Sequence, residues 1–262
     1  MIIKLAISTC PNDTYIFGAM IEKFIRTEHM FDLYMDDVQV LNGIAIKGEA
    51  DIIKVSYGVV PLVLDNYRVL KSGGALGFGC GPLIVSKDKV PVEELKGRRI
   101  AIPGVNTSAF RFFKMFFGED YEFEELRFDM IMPAVLSGEV AAGVVIHEGR
   151  FVYQQMGLNK LCDLGELYEQ KLKSPIPLGA ILIKKDKLHM AEEMNSLIRQ
   201  SIHFADTNYN LIEPFIKKHA QELDDKVIKS HIDLYVNEYS KDLQPAEEGL
   251  CKFLGTDVSV FV

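Results

Sequence analysis

Two stretches of this chain share the order of a short apolar strand, a polar turn and an apolar helix, and this repeat constrains the fold more than any other feature. The first stretch covers residues 5–24 and the second covers residues 100–117. A second pattern is also repeated: an apolar run is followed by Gly-Glu and then by an apolar strand. It occurs at residues 41–55 and again at residues 131–146. The copies lie 95 residues apart in the first pair and 90 in the second, so we expect one pattern that was built twice.

This repeat predicts an α/β fold with two lobes. Strands that alternate with helices favour parallel strands and right-handed crossovers, so each lobe should be a small doubly wound sheet flanked by helices, with a ligand cleft between the lobes. We expect lobe one to combine residues 1–85 with residues 182–262, including the C-terminal helices, and lobe two to cover residues 86–181. The glycine-dense segment 72–82 lacks GxGxxG spacing, and we interpret it as a crossing between lobes.

The net charge and the apolar pattern of the chain limit the kinds of binding partner that it can have. The net charge is −8 and Lys and Arg form no large cluster, which argues against nucleic acid and against an anionic membrane surface. No apolar run approaches the roughly 20 residues of a membrane span, and no secretion signal is evident, so we expect a cytoplasmic protein. No CxxC pair is present among Cys10, Cys80, Cys162 and Cys251, so we expect reduced thiols and no metal site.

His147 is the first candidate for chemistry because it stands at the end of the apolar strand 142–146. Carboxyl ends of strands in an open α/β sheet face the ligand crevice, so a histidine there is suited to act as a general base. A histidine held by a structural hydrogen bond is the alternative. The sequence does not continue as HExxH, which excludes a zinc protease. Surface or capping positions are expected for His189, His203, His219 and His231.

Polar residues at the other strand ends and turns are the second group of candidates. Free N–H groups and the helix dipole suit such turns to a carboxylate or phosphate. The same residues could serve only as helix N-caps, and a lysine among them could be a solvated side chain. A Ser-Lys nucleophile pair is disfavoured because SxxK is absent. These candidates are Asn12, Thr14, Lys54, Ser56, Thr107 and Ser108.

Five motifs in one order relate the chain to a known enzyme family. They are STCPNDTYIF at 8–17, KVSYG at 54–58, SGGALGFGCGP at 72–82, VVIHEGRF at 144–151 and PLGAI at 177–181. The chain resembles the 1,4-dihydroxy-6-naphthoate synthase family of the futalosine route to menaquinone. The resemblance implies a fold like that of type II periplasmic binding proteins. It also implies a lyase that converts cyclic dehypoxanthinyl futalosine to 1,4-dihydroxy-6-naphthoate without a cofactor.

The resemblance implies roles for particular residues, with His147 as the general base. By the same resemblance, a small-molecule carboxylate substrate would be contacted by Lys54, Val55, Ser56, Thr107 and Ser108. The turn chemistry described above adds Asn12 and Thr14 as substrate-binding candidates. We expect a monomer or a homodimer. Two other functions stay open: chorismate dehydratase of the same pathway, and a cytoplasmic protein that binds small carboxylates without catalysis.

Overall fold

The computed structural model describes residues 1–220 and 224–262. The chain divides into two compact units, which we call unit 1 (Met1–Gly77 with Pro177–Val262) and unit 2 (Phe78–Ile176). The divisions fall at 77/78 and 176/177, a few residues before the expected 85/86 and 181/182. The reason is strand pairing, since residues 83–86 pair within unit 2 and residues 179–184 pair within unit 1.

Helices and strands follow one another in the predicted α/β order. The elements in residues 1–77 are β1 (Ile2–Ile7), α1 (Pro11–Ile21), β2 (Met30–Met35), α2 (Val38–Lys47), β3 (Ile52–Ser56), α3 (Val60–Val63), β4 (Tyr67–Val69) and β5 (Ala75–Gly77). Those of unit 2 are β6 (Leu83–Ser86), β7 (Arg99–Ile102), α4 (Ser108–Phe117), β8 (Glu122–Glu125), α5 (Phe128–Ser137), β9 (Ala142–Val145), α6 (Gly149–Val152), β10 (Asn159–Asp163) and α7 (Leu164–Leu172). The rest of the chain forms β11 (Ile176–Lys184), α8 (Ala191–Thr207), α9 (Tyr209–His219), α10 (Asp225–Tyr235), α11 (Glu238–Lys241) and α12 (Glu247–Leu254).

The two sheets have the same topology. The sheet of unit 1 runs β2-β1-β3-β11-β4, with β5 also paired to β11, and the sheet of unit 2 runs β10-β6-β9-β7-β8. In unit 1, β2, β1 and β3 are parallel and β11 is antiparallel to β3. In unit 2, β8, β7 and β9 are parallel and β6 is antiparallel to β9. Each unit is therefore a three-stranded parallel core with one antiparallel strand beside it.

The strand register of unit 1 is repeated in unit 2. Leu5 pairs with Ile52 in unit 1, and Ile100 pairs with Ala142 in unit 2. These are the same 95- and 90-residue offsets that relate the two sequence copies. The prediction of parallel order is confirmed for the repeated strands and is wrong for β6 and β11, because those two strands enter their sheets directly after the chain leaves the other unit. Without a crossover helix, the rule that makes successive strands parallel does not apply to them.

A helical layer covers one face of the unit 1 sheet and buries α1 almost completely. Apolar residues recur at helical spacing along α8 and form one apolar face. This face packs in one cluster with residues of β1 and β11, and its members are Met194, Leu197, Ile198 and Ile202. Burial of such a face is the main stabilising term for a helix of this kind. The helices α8 to α12 all belong to unit 1, the unit that also contains β1 to β5. None of the helices in the described residues combines the length and apolar character that a membrane crossing requires.

Candidate functional site

Asp13 and Lys54 form a buried ion pair in unit 1. Asp13 lies in the first turn of α1 and Lys54 lies in β3, and Lys54 Nζ is 2.5 Å from Asp13 Oδ1. Only 6% of the lysine side chain and 1% of the aspartate side chain are exposed. A buried ammonium group costs several kcal/mol unless it has a charged partner. The alternative of a solvated Lys54 is therefore wrong, and Asp13 is a functional candidate that the sequence did not reveal.

The carboxylate of Asp13 is saturated with hydrogen bonds. In addition to Lys54, Oδ1 accepts from Asn12 Nδ2 at 2.8 Å. Oδ2 accepts from the Ser8 hydroxyl at 2.6 Å and from the Ser8 amide at 3.3 Å. Four donors match the lone pairs that an ionised carboxylate presents. The turn that leads into α1 is thus organised around one buried charge rather than around a helix cap.

Asn12 connects this carboxylate to His231 of α10. Because Asn12 Nδ2 donates to Asp13, its Oδ1 is the atom that faces His231 Nε2, at 3.0 Å. His231 is 1% exposed, so the expectation of a surface or capping histidine is wrong for this residue. The physical reason is the spacing of Ile228, His231, Ile232 and Tyr235, which share the buried face of α10.

Gly179 makes room for the lysine. It pairs with Ser56 across β11 and β3, and a Cβ atom at this position would lie 2.4 Å from Lys54 Cε. Such a contact is far inside van der Waals distance, so a side chain here would displace the lysine. The lysine of the KVSYG motif therefore requires a glycine at this position of the PLGAI motif.

The other unit 1 candidates form hydrogen bonds with nearby groups of the same unit. The Ser56 amide donates to Asn42 Oδ1 at 2.9 Å, and its hydroxyl donates to the Leu178 carbonyl at 3.4 Å. Val55 is fully buried beside it. The Thr14 hydroxyl donates within its own helix turn, with the Cys10 carbonyl oxygen at 3.1 Å. Thr14 thus satisfies its hydroxyl locally, as helical threonines often do.

In unit 2, Thr107 and Ser108 begin α4. Thr107 is the N-cap, and its hydroxyl oxygen accepts from the Phe110 amide at 3.2 Å while the hydroxyl donates to the Gly104 carbonyl at 2.7 Å. Both side chains are buried. The capping role considered for this turn is confirmed for Thr107. A capped helix N-terminus can also bind an anion, because its amides and dipole still favour negative charge.

His147 lies just beyond the carboxyl end of β9, as the sequence predicted. Its φ is +53°, a left-handed conformation that non-glycine residues rarely adopt and that is over-represented at functional sites. The imidazole is half-buried and meets the ring of Phe128 edge to face, with 4.9 Å between ring centroids. α6 begins two residues later, at Gly149. The turn therefore presents the histidine at the strand end in a conformation that the neighbouring packing must hold.

Arg150, which follows His147 in the same motif, has a structural role within unit 2. Its guanidinium donates to the Gly81 carbonyl and lies 3.3 Å from Asp163 Oδ2. Asp163 in turn caps α7 by accepting from the Gly165 and Glu166 amides. Gly81 and Gly165 touch through their backbones, since a Cβ on Gly81 would lie 2.2 Å from Gly165 Cα. This contact explains part of the glycine density of residues 72–82.

Tyr57 is the unit 1 equivalent of His147, since Ile52 and Ala142 hold matching places in their sheets and each lies five residues earlier. Tyr57 is fully buried. In the part of the chain that the structure describes, its hydroxyl has no hydrogen-bond partner. Burial also raises the pKa of this hydroxyl far above its ordinary value. In this segment the sequence pointed to Lys54 and Ser56 as candidates and not to Tyr57.

Cysteines and acidic residues do not assemble into a metal site in residues 1–220 and 224–262, where no group of three or more potential ligands occurs. All four cysteines are free thiols. Burial raises the pKa of the Cys80 thiol to about 12 and that of the Cys162 thiol to about 11. Thiols with raised pKa values are poor nucleophiles, so neither is suited to covalent catalysis.

Comparison with known proteins relates these features to a family. A family model described as menaquinone biosynthesis matches residues 3–256. The chain belongs to this menaquinone biosynthesis family. Two relatives are named 1,4-dihydroxy-6-naphthoate synthase. The one from Streptomyces coelicolor is 38% identical over 99% of this chain and 98% of its own length, and the one from Thermus thermophilus is 38% identical over 94% and 89%.

Solved structures show the same fold for this menaquinone biosynthesis family member. A crystal structure of a protein from Archaeoglobus fulgidus is 32% identical, has a TM-score of 0.90, and covers 97% of this chain and 95% of that one. The alkanesulfonate-binding protein SsuA from Xanthomonas axonopodis, bound to MOPS, has a TM-score of 0.70 at 12% identity and covers 100% and 98%. The expected periplasmic-binding-protein-like fold is therefore confirmed. At such low identity the second likeness concerns the fold alone.

Proposed function

We propose that this chain is a 1,4-dihydroxy-6-naphthoate synthase, a lyase that converts cyclic dehypoxanthinyl futalosine to 1,4-dihydroxy-6-naphthoate. The observation that carries the proposal is the 38% identity, over at least 94% of this chain, to two proteins of that name. Membership of the menaquinone biosynthesis family supports the same conclusion. The family match covers residues 3–256 and so spans both units and every candidate residue discussed above.

His147 is the general base in this proposal. Carbon-carbon cleavage of this kind needs a base that takes a hydroxyl proton while the bond breaks and its electron pair passes to a carbonyl as an enolate. The position after β9, the left-handed φ and the edge-to-face contact with Phe128 support this role. A fixed imidazole can accept a proton without the reorganisation that a mobile side chain would need.

The substrate carboxylate is bound, in this proposal, by donors rather than by a free lysine. The charge of Lys54 is already matched by Asp13. The donor of the segment Lys54, Val55 and Ser56 is then the Ser56 hydroxyl, whose 3.4 Å bond to the Leu178 carbonyl is long enough to give way to a bond to the substrate. Thr107 and Ser108 contribute the amide end of α4, where an anion is favoured by the helix dipole. Asn12 and Thr14 complete the proposal by holding the first turn of α1.

The setting of the reaction follows from the same properties. We infer a cytoplasmic enzyme, monomeric or homodimeric, that acts on a small carboxylate without a cofactor and has neither nucleic acid nor membrane as a partner. The net charge of −8 supports the exclusion of nucleic acid. A solute-binding protein without catalysis is the second candidate, favoured by the likeness to an alkanesulfonate-binding protein.

The decisive experiment supplies purified protein with cyclic dehypoxanthinyl futalosine and measures 1,4-dihydroxy-6-naphthoate by mass spectrometry. We expect turnover by the unmodified chain and a loss of about 10²- to 10⁴-fold in kcat for His147→Asn, because a positioned general base contributes that much. His203→Asn is the matched control, since His203 is exposed on α8. Its rate should stay near that of the unmodified chain.

Three outcomes separate the proposals. Saturable binding without product would favour a binding protein, and product from chorismate instead would favour the dehydratase. Product formation with a normal rate in a folded His147→Asn variant would keep the synthase and remove His147 as its base. Circular dichroism of each variant shows whether the fold is intact.

A further inference from the structure

A continuous line of buried polar groups runs from α10 to β3 in unit 1. His231 Nε2 meets Asn12 Oδ1 at 3.0 Å, Asn12 Nδ2 meets Asp13 Oδ1 at 2.8 Å, and Lys54 Nζ meets the same oxygen at 2.5 Å. Each of the four side chains is at least nine-tenths buried. His231 is 219 residues from Asn12 in sequence, so tertiary folding alone brings it to this position.

The direction of each hydrogen bond is fixed by the charge at the centre. A carboxylate only accepts, so Asn12 must turn its amide nitrogen to Asp13 and its oxygen to His231. The bond between them then requires a proton on His231 Nε2. His231 therefore donates a hydrogen bond to the side-chain oxygen of Asn12. The side-chain nitrogen of Asn12 in turn donates to the Asp13 carboxylate, which also accepts from Lys54.

The histidine is itself rigidly placed. Ile228 and Ile232, on either side of it, pack into a cluster with Tyr15 and Ala19 of α1, and the ring of His231 lies 4.5 Å from that of Tyr235. α10 is thus fastened to the same helix whose first turn contains Asn12 and Asp13. Loss of the donor would leave this packing in place and free the amide to rotate, since only one of its two ends would still be bonded.

We propose that His231 is a positioning residue for the reaction, and that its Nε2–H holds the 8–14 turn and the Lys54 end of β3 in the arrangement that binds substrate. The inference rests on the proposed function, because the segment of Lys54, Val55 and Ser56 is assigned there to substrate binding. His231 itself contacts Asn12 and acts through it. The ordering of the turn is a property of the free protein and can be measured without turnover.

The test compares three variants of the full chain. His231→Phe keeps a ring beside Tyr235 and removes the donor, whereas His231→Gln keeps a side-chain N–H donor of similar reach. His203→Leu removes an exposed histidine from α8 and is the matched control. Amide hydrogen exchange is followed by mass spectrometry in peptides covering residues 8–15 and 52–57, with residues 108–117 of unit 2 as an internal reference. KM and kcat are measured on cyclic dehypoxanthinyl futalosine.

We expect His231→Phe to speed exchange in residues 8–15 by about tenfold or more, with the reference peptide unchanged, because the local opening free energy falls. KM should rise about tenfold while kcat changes by less than about threefold, as is typical when ground-state binding groups lose their placement. His231→Gln should return both quantities to within about threefold of the unmodified chain, and His203→Leu should leave them unchanged.

Three results would overturn the inference. They are normal exchange and normal KM in a folded His231→Phe variant, equal damage in the Phe and Gln variants, and a fall in kcat alone. If His231→Phe does not fold, His231→Gln decides, because it must retain native exchange and KM. If the unmodified chain makes no product, the proposed function fails, and the exchange measurement still decides whether His231 orders the turn.

Discussion

At the scale of single residues, Tyr57 differs from the buried side chains that surround Asp13, because its hydroxyl has no hydrogen-bond partner in the described residues. Asp13, Lys54, Asn12 and His231 complete one another's hydrogen bonds. The hydroxyl of Tyr57 has no such partner in the described residues, although the side chain is fully buried. An unsatisfied buried hydroxyl destabilises a fold by about 1–3 kcal/mol relative to a satisfied one. The hydroxyl of Tyr57 therefore destabilises unit 1 relative to a residue without it.

Replacement of Tyr57 by Phe should leave the free energy of unfolding unchanged or raise it by about 1 kcal/mol, because the variant no longer buries an unpaired hydroxyl. Tyr67→Phe is the matched control. The Tyr67 hydroxyl is buried too, but it donates to the Ala50 carbonyl at 2.7 Å. Its removal should lower the free energy of unfolding by about 1–2 kcal/mol. Urea unfolding of both variants checks the pair, and a larger loss for Tyr57→Phe than for Tyr67→Phe would contradict the assignment.

At the scale of elements, the sequence predicted the repeated unit but not the direction of β6 and β11, the two strands that enter each sheet from the other unit. Apolar periodicity and turn chemistry are local signals, and they predicted β1, β3, β7 and β9 but neither β2 nor β8. The antiparallel pairing of β6 and β11 depends on contacts between distant segments, which no local pattern encodes. The same limit applies to the site. His147 and the strand ends were predictable from position, whereas the pairing of Lys54 with Asp13 and of Asn12 with His231 was not.

Close approach of two backbones makes Gly81 sensitive to any side chain. A Cβ atom there would lie 2.2 Å from Gly165 Cα at the start of α7, so Gly81→Ala should destabilise unit 2 by about 2 kcal/mol or more through overpacking. Gly43→Ala is the control, since Gly43 lies within α2 with open space around its Cα. Helix propensity should make that variant up to about 1 kcal/mol more stable. Thermal unfolding would contradict the proposed contact if both variants behaved alike.

At the scale of the whole molecule, burial of a thiol and a phenol hydroxyl makes the free energy of unfolding depend on pH in the alkaline range. The pKa of the Cys80 thiol is raised to about 12, chiefly by burial. Burial also raises the pKa of the Tyr57 hydroxyl above its usual value. In the unfolded chain these groups ionise near their ordinary pKa values of about 8.5 and 10. Between those values and the folded ones, the unfolded chain binds fewer protons than the folded chain. The stabilisation is therefore complete below about pH 8 and is lost as the pH rises towards the folded values.

We accordingly expect the free energy of unfolding to fall as the pH rises above about 8.5, by up to about 1.4 kcal/mol per pH unit for each such group. Urea unfolding at about pH 7.5, 9 and 10.5 measures the slope. Cys80→Ala should flatten the decline that starts near pH 8.5, and Tyr57→Phe should flatten only the part above about pH 10. Stability that rises with pH in this range, or an unchanged slope in both variants, would show that these two groups ionise as readily in the folded chain as in the unfolded one.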